Sequence, residues 1–189
     1  MSSPAGANSC HWLLEPHIAM AEAIGGLRVG EVAAGVTAVP VASEHLEHFI
    51  AFENQHNARQ VGPALREHLE RFGPYFALLA LADQQPVGSI RSRLFHEGDP
   101  TMATVVIAHY CVDPAWQGKG IGSDLVRCLS KQLLACPAIQ TVVAEVDTTN
   151  LASQRVFHKN GFIEMVSQTG RLMFSRRKEQ QGARDIAAG

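Results

Sequence analysis

At 189 residues, with 46% apolar and 18% charged residues, the chain suits one domain with a proper core; its net charge of −2 leaves no electrostatic footprint for nucleic acid. No apolar run is long enough to span a bilayer, and the start MSSPAGANSC lacks the basic segment and apolar core of a secretory signal, which points to the cytoplasm. The four cysteines, Cys10, Cys111, Cys128 and Cys136, have neither CxxC spacing nor a histidine partner pattern, so they read as small apolar packing residues, with no metal and no disulfide framework.

Residues 1–34 form an N-terminal extension. In it, Glu15-Pro16 with Ile18, Ala21 and Ile24 before Gly25-Gly26 reads either as a short helix with proline in its first turn or as poorly ordered chain. A strand is expected over 35–42. Ser43 then caps a helix carrying Leu46, Phe49 and Ile50 on one face. A second helix starts near Pro63, spaces Leu65, Leu69 and Phe72 at i, i+4, i+7, and ends at Gly73-Pro74. Three strands follow over 75–82, 87–94 and 103–112, joined by a short hairpin at 83–86 and a longer connection at 96–100. A glycine turn at 117–122 leads into a helix with the stripe Ile121, Leu125, Leu129 and Leu133, closed by Pro137. A strand over 141–146, a short helix over 150–160 and a strand pair around Phe162 and Met173 complete the set. The tail, 176–189, is polar. Strands in succession followed by βαβα predict a single mixed α/β sheet.

The glycine turn carries the chemistry. Gln117-Gly118-Lys119-Gly120-Ile121-Gly122 joins an apolar strand to a helix N-terminus, where unpaired N–H groups and the helix dipole favour an anion. Glycines at alternate positions let backbone approach a phosphate without Cβ interference. A P-loop would need GxxxxGK[ST], but Lys119 is followed by Gly120 and no glycine stands five residues before Gly118. The dinucleotide fingerprint GxGxxG would need glycine at Ser123 and an early βαβ unit. The pattern that fits is [QR]xxGx[GA], with Gln117, Gly120 and Gly122 in its slots.

The stretch Val112-Asp113-Pro114-Ala115-Trp116-Gln117-Gly118-Lys119-Gly120-Ile121-Gly122 resembles the signature of the GNAT superfamily of acetyl-CoA-dependent N-acetyltransferases. Asn150, Phe157, Lys159, Gly161 and Phe162 echo its second block. The resemblance spans residues 35–175 as an N-acetyltransferase domain. It implies a mostly antiparallel mixed sheet flanked by helices, with a splayed central strand pair that holds acetyl-CoA as co-substrate. Tyr110, Cys111 and Val112 then pair with the pantetheine arm. The N–H groups from Gln117 to Gly122, through Gly118, Lys119, Gly120 and Ile121, take the pyrophosphate, and Lys119 adds a point charge. Ser123 reads as a phosphate donor or a solvated first-turn serine, and Asn150 as a pantetheine contact, a helix cap or both. The resemblance implies transfer to a primary amine on a small molecule, an antibiotic-like polyamine or a peptide or protein terminus, with no nucleic acid or membrane partner and with a homodimer as an option.

Attack of an amine on a thioester requires a neutral nitrogen, so a general base matters most. On the cofactor strand His109 is the titratable candidate for this catalytic role, against a structural reading, with Glu145 on the neighbouring strand second. Strand alternation puts His109 on the face of Cys111, opposite Tyr110; a bulge, common in this strand of the family, changes that parity. The family's tyrosine acid slot holds Phe157, which donates no proton. Water, Tyr110 or His158 can substitute, and a non-catalytic acetyl-CoA sensor of the same fold is the alternative function. Glu44, Glu47, Glu53, Glu97 and Asp99 read either as the rim of a site for a cationic amine or, for the first three, as a solvated helix face. His45, His48 and His56 lack the third ligand that a metal needs.

Overall fold

The computed structural model describes residues 11–57, 60–95, 103–165 and 170–178. The helices are α1 (His11–Ile24), α2 (Ser43–His56), α3 (Pro63–Phe76), α4 (Ile121–Ala135) and α5 (Leu151–Lys159). The strands are β1 (Gly30–Ala33), β2 (Val36–Pro40), β3 (Ala77–Ala82), β4 (Gln85–Phe95), β5 (Ala103–Val112), β6 (Ile139–Asp147), β7 (Ile163–Met165) and β8 (Arg171–Arg177). They form one sheet in the order β1-β2-β3-β4-β5-β6-β8-β7. Every pairing is antiparallel except β5 with β6, as the mixed α/β reading requires. None of the described helices is long and apolar enough to cross a membrane.

Apolar residues cover both faces of the sheet. β3 is buried at all six positions, and its alternate residues feed two cores. Leu78 and Ala80 join Ile121, Leu125, Leu129 and Phe157 on the side of α4 and α5. Leu79 and Leu81 join Leu46, Phe49, Ile50 and Leu69 on the side of α2 and α3.

Several boundaries differ from expectation for local reasons. The strand expected over 35–42 is the second arm of a hairpin: Gly35, at φ 72°, turns the chain from β1 into β2, and β1 was too short and too polar to read. Ala42, not Ser43, occupies the cap position of α2, and no side chain caps it. α3 does not stop at Gly73-Pro74 but runs through them to Phe76. A Cβ at Gly73 would lie 2.3 Å from the Val41 carbonyl oxygen, so this glycine lets helix and chain touch rather than ending the helix. Gly73→Ala should therefore destabilise the fold by roughly 1–3 kcal/mol, the usual cost of forcing atoms into a packed interior. A midpoint in chemical denaturation equal to that of the parent would contradict this contact.

α1 places Pro16 inside the helix rather than in its first turn, and Gly25 and Gly26, both at positive φ, follow its end. Met20, Ala21, Leu27 and Val32, within the segment read as an extension, are buried in the larger core. At the other end, β8 reaches Arg177, inside the segment read as tail. The longer connection expected at 96–100, with Glu97 and Asp99, lies outside the described residues, as does Cys10.

Candidate active site

β5 and β6 pair only from Ala103↔Ile139 to Ile107↔Ala144. Beyond Ile107 they part, and β6 continues on β8 while β5 continues on β4, which opens the expected splay. The Asp113 N–H donates to the Val87 carbonyl at 3.0 Å. Strand alternation therefore turns the Cys111 backbone groups toward β4 and those of Tyr110 and Val112 toward the opening. Of the three residues expected to pair with pantetheine, Tyr110 and Val112 thus offer backbone, whereas the Cys111 backbone turns to β4 and its side chain lies against Ser89 and Glu53.

A cavity of about 610 Å³ fills the opening, lined by Tyr110, Cys111, Val112, Trp116, Gln117, Gly118, Gly120, Gly122 and Ser123 on one side and Ser153, Arg155, Val156 and Lys159 of α5 on the other. The turn at its end is shaped by Gly118 and Gly120, at φ 76° and 88°. A Cβ at Gly122 would press the Tyr110 ring at 3.3 Å. The Gln117 side chain donates to the Val112 carbonyl at 3.0 Å, tying turn to strand rather than reaching outward. Ile121 is buried, so only its backbone can serve a ligand. The Lys119 ammonium rests 4.1 Å over the Trp116 ring. Ser123 is buried rather than solvated; it lines the cavity, and its Oγ accepts from Asn160 Nδ2 at 3.1 Å. Asn150 caps α5, its side-chain oxygen accepting from the Ser153 N–H at 3.0 Å. Arg155 and Lys159, one helical turn apart, add positive charge opposite the turn; no reading of the sequence singled out Arg155.

The second cluster lies on the α2 side of the strands. Glu53, expected on a rim or a solvated face, is completely buried. It accepts from Ser89 Oγ at 2.5 Å, His109 Nδ1 at 3.2 Å and Arg91 Nε at 3.3 Å. Burial alone would raise its pKa, but the His109 and Ser89 hydrogen bonds and the charges of His109 and Arg91 outweigh that and hold the carboxyl at about 2. The signal was in the spacing: Leu46, Phe49, Ile50 and Glu53 stand at i, i+3, i+4, i+7, so the carboxylate belongs to the buried stripe. Ser89 and Arg91 lie directly across from Cys111 and His109 on β4.

A bulge makes this cluster. Arg91 pairs with His109 but Ser92 pairs with Ile107, leaving Ala108 unmatched. Val105 and Ile107 point into the core beside α4, yet after Ala108 it is Tyr110 that continues that face. His109 and Cys111 swing together to the Glu53 side, as alternation alone also predicts for that pair. With Nδ1 bonded to Glu53, His109 has no protein partner at Nε2 among the described residues.

The other candidates fall elsewhere. Glu145 is exposed and lies 3.4 Å from Arg171, apart from the cluster. His158 bonds Glu164 and packs edge-on to Phe174. Glu47 pairs with Arg66, and Glu44 lies 3.9 Å from His45 Nδ1; both are exposed on α2 and neither is among the residues lining the cavity. Phe157 is 2% exposed among Phe162, Phe174 and Tyr110, and only its neighbours reach the cavity. Tyr110 and Ser153 both line the cavity, and the Tyr110 hydroxyl donates to Ser153 Oγ at 2.9 Å. Burial raises the Tyr110 pKa, partly offset by that bond, so the phenol stays protonated. Phe157→Tyr should give no gain in kcat and should lower stability by about 1–3 kcal/mol, because its hydroxyl enters a site without a partner. A rise in kcat above tenfold at unchanged stability would contradict the packing role.

Solved structures share this architecture. Naa50 of Arabidopsis thaliana, in complex with the bisubstrate analogue CoA-Ac-MVNAL, superposes with a TM-score of 0.63 at 18% identity, covering 75% of this chain and 98% of that one. The ribosomal-protein-S18-alanine N-acetyltransferase of Escherichia coli gives 0.61 at 16% identity, covering 78% and 97%. The yncA protein of Salmonella typhimurium, with its cofactor acetyl-CoA, gives 0.60 at 19% identity, covering 79% and 97%. No curated protein sequence matches the chain. The family model described as Acetyltransferase (GNAT) family matches residues 41–162, which run from the start of α2 through the splay and the glycine turn to the end of α5, and the chain belongs to that family.

Proposed function

We propose that the protein transfers the acetyl group of acetyl-CoA directly to a primary amine, with His109 as general base and Glu53 as its positioning residue. One observation carries the reading: a strand splay with a phosphate-type turn at its mouth and, on its strand, a part-exposed imidazole bonded to a buried carboxylate. Acetyl-CoA would lie along Tyr110 and Val112, its pyrophosphate on the N–H groups of Gln117–Gly122, with Lys119, Arg155 and Lys159 supplying positive charge.

Nitrogen attacks the thioester carbonyl, a tetrahedral oxyanion forms, and the C–S bond then breaks to release the CoA thiolate. A lysine-like amine of pKa ~10.4 costs roughly 4.6 kcal/mol to deprotonate at pH 7, whereas a chain-terminal amine of pKa ~8 costs only about 1.4 kcal/mol. Glu53 accepts the Nδ1 proton and so leaves the Nε2 lone pair to take the proton from the amine. A cleft-facing N–H of Tyr110 or Val112 serves the oxyanion. If the CoA thiol resembles a cysteine thiol of pKa ~8.5, leaving unprotonated near pH 7 costs about 2 kcal/mol, so the Tyr110 hydroxyl is sufficient as an acid and Phe157 is not missed.

The alternative, an acetyl-CoA-binding module without turnover, draws only on Phe157 in the tyrosine slot. Free-thiol release from acetyl-CoA, measured against peptides with free N-termini, polyamines and small aminated compounds, separates the readings. Amine-dependent release, with the acetyl group recovered on the amine, is expected. Tight acetyl-CoA binding with no release for any amine would favour the binding module.

A further inference from the structure

We infer that Glu53, His109 and Cys111 form an inhibitory site for a thiophilic divalent cation of the zinc type. Their ligand atoms, a carboxylate oxygen, Nδ1 and Sγ, all lie within 4.8 Å of one another. His109 Nδ1 is 3.2 Å and Cys111 Sγ 3.9 Å from Glu53 Oε1. A tetrahedral zinc ion with Zn–N and Zn–O of about 2.0–2.1 Å and Zn–S of about 2.3 Å separates its ligands by about 3.3 Å (N to O) and about 3.6 Å (O to S). Both edges at Glu53 are within about 0.3 Å of a zinc coordination face, and the Nδ1–Sγ edge, within 4.8 Å, closes by rotation of the two side chains. A mixed carboxylate, imidazole and thiolate set suits zinc over magnesium or calcium, which take oxygen ligands.

The site is supported from behind. Arg91 Nε bonds the second carboxylate oxygen of Glu53, leaving Oε1 to face the other two ligands. Ser89 Oγ lies 3.2 Å from Cys111 Sγ and 2.5 Å from Glu53 Oε1, where it orients both. A bound cation displaces the thiol proton to solvent and supplies the positive charge that the thiolate otherwise lacks. The spacing of cysteines along the chain gave no hint of this, because the three ligands come from α2 and from alternate positions of β5, brought together by folding and the Ala108 bulge.

Occupancy and base catalysis exclude each other. A cation on Nδ1 forces the imidazole proton onto Nε2, which removes the lone pair required for the amine, and it takes the Glu53 oxygen that positions the ring. The site therefore inhibits and is not a cofactor site. Metal binding by itself does not depend on the proposed acetyl transfer, so its test stands if that reading fails.

The probe is Co²⁺ added to the metal-free full chain, followed by Zn²⁺ competition. One equivalent of Co²⁺ should give the visible bands of a four-coordinate ion and a near-ultraviolet thiolate charge-transfer band, both displaced by Zn²⁺. Cys111→Ser should abolish the charge-transfer band, and either Cys111→Ser or His109→Ala should weaken Zn²⁺ binding by at least about 100-fold. Melting curves of both variants establish that they are folded. In active protein, Zn²⁺ should inhibit, and Cys111→Ser should raise the inhibitory concentration by a similar factor relative to its own uninhibited rate. Absence of the charge-transfer band in the parent, or Zn²⁺ affinity unchanged in both folded variants, would overturn the site.

Discussion

Gly120→Asp should weaken acetyl-CoA binding by at least about 100-fold while leaving the protein folded. The residue caps α4 in the left-handed region at φ 88° and lines the cavity together with Gly118, Gly122 and Ser123. An aspartate there puts a carboxylate in front of the helix terminus, where the pyrophosphate is proposed to lie. At an effective dielectric of ~20, two unit charges ~4 Å apart repel by about 4 kcal/mol, more than the ~2.7 kcal/mol that a 100-fold loss requires. The fold survives because two effects oppose each other. Left-handed backbone costs a non-glycine residue about 1–2 kcal/mol, whereas negative charge at a helix N-terminus is favourable by about 0.3–1 kcal/mol. The added Cβ meets nothing closer than Asp124 Oδ2 at 3.9 Å. Gly120→Ala carries the strain without the charge, so it should lose stability while keeping most of its affinity. Calorimetric titration with acetyl-CoA decides the matter: a dissociation constant within threefold of the parent in Gly120→Asp would remove the pyrophosphate from this turn.

The second large effect is expected at His109. His109→Ala should lower kcat at pH 7 by about 100-fold or more, the lower end of the range for a general base, with acetyl-CoA affinity nearly unchanged. The substitution also deprives buried Glu53 of one of its donors, which costs roughly 1–3 kcal/mol of stability and complicates a loss of activity taken alone. His109→Asn resolves this, because its side-chain amide can occupy the place of Nδ1 and restore the bond to Glu53 without a base at the position of Nε2. Stability should return toward that of the parent in His109→Asn while kcat stays low. A loss below threefold in either variant would remove His109 from the role and leave it to bulk water.

What was legible in the sequence was what local chemistry determines. The run from Val112 to Gly122 must turn sharply between a strand and a helix whatever lies around it, and the cavity opens at that turn. Asn150 likewise caps the next helix through a bond to Ser153, three residues on. Glu53 was misread because charge suggested solvent, although its position in the Leu46-Phe49-Ile50 stripe placed it inside; only the partners waiting on β4 and β5 make a buried carboxylate tolerable there. Those partners lie 36 to 58 residues away, beyond any periodicity argument. Phe157 was weighed as a lapsed acid from its place in a motif, and the ring cluster around it is a tertiary fact. Gly73-Pro74 looked like a helix end because proline there usually is one; the close approach to Val41 that explains the glycine joins two segments distant in sequence.

The proposed pairing of Glu53 with His109 as one base is tested most directly by a double-mutant cycle in kcat/KM. Glu53→Gln keeps the volume and removes the charge that fixes the imidazole tautomer, so it should cost about tenfold or more through His109. In the His109→Ala background that same substitution should cost less than about threefold, since no imidazole remains to be positioned. Losses that multiply, with the double variant falling by the full product of the two single effects, would mean that Glu53 and His109 work independently and would contradict the dyad.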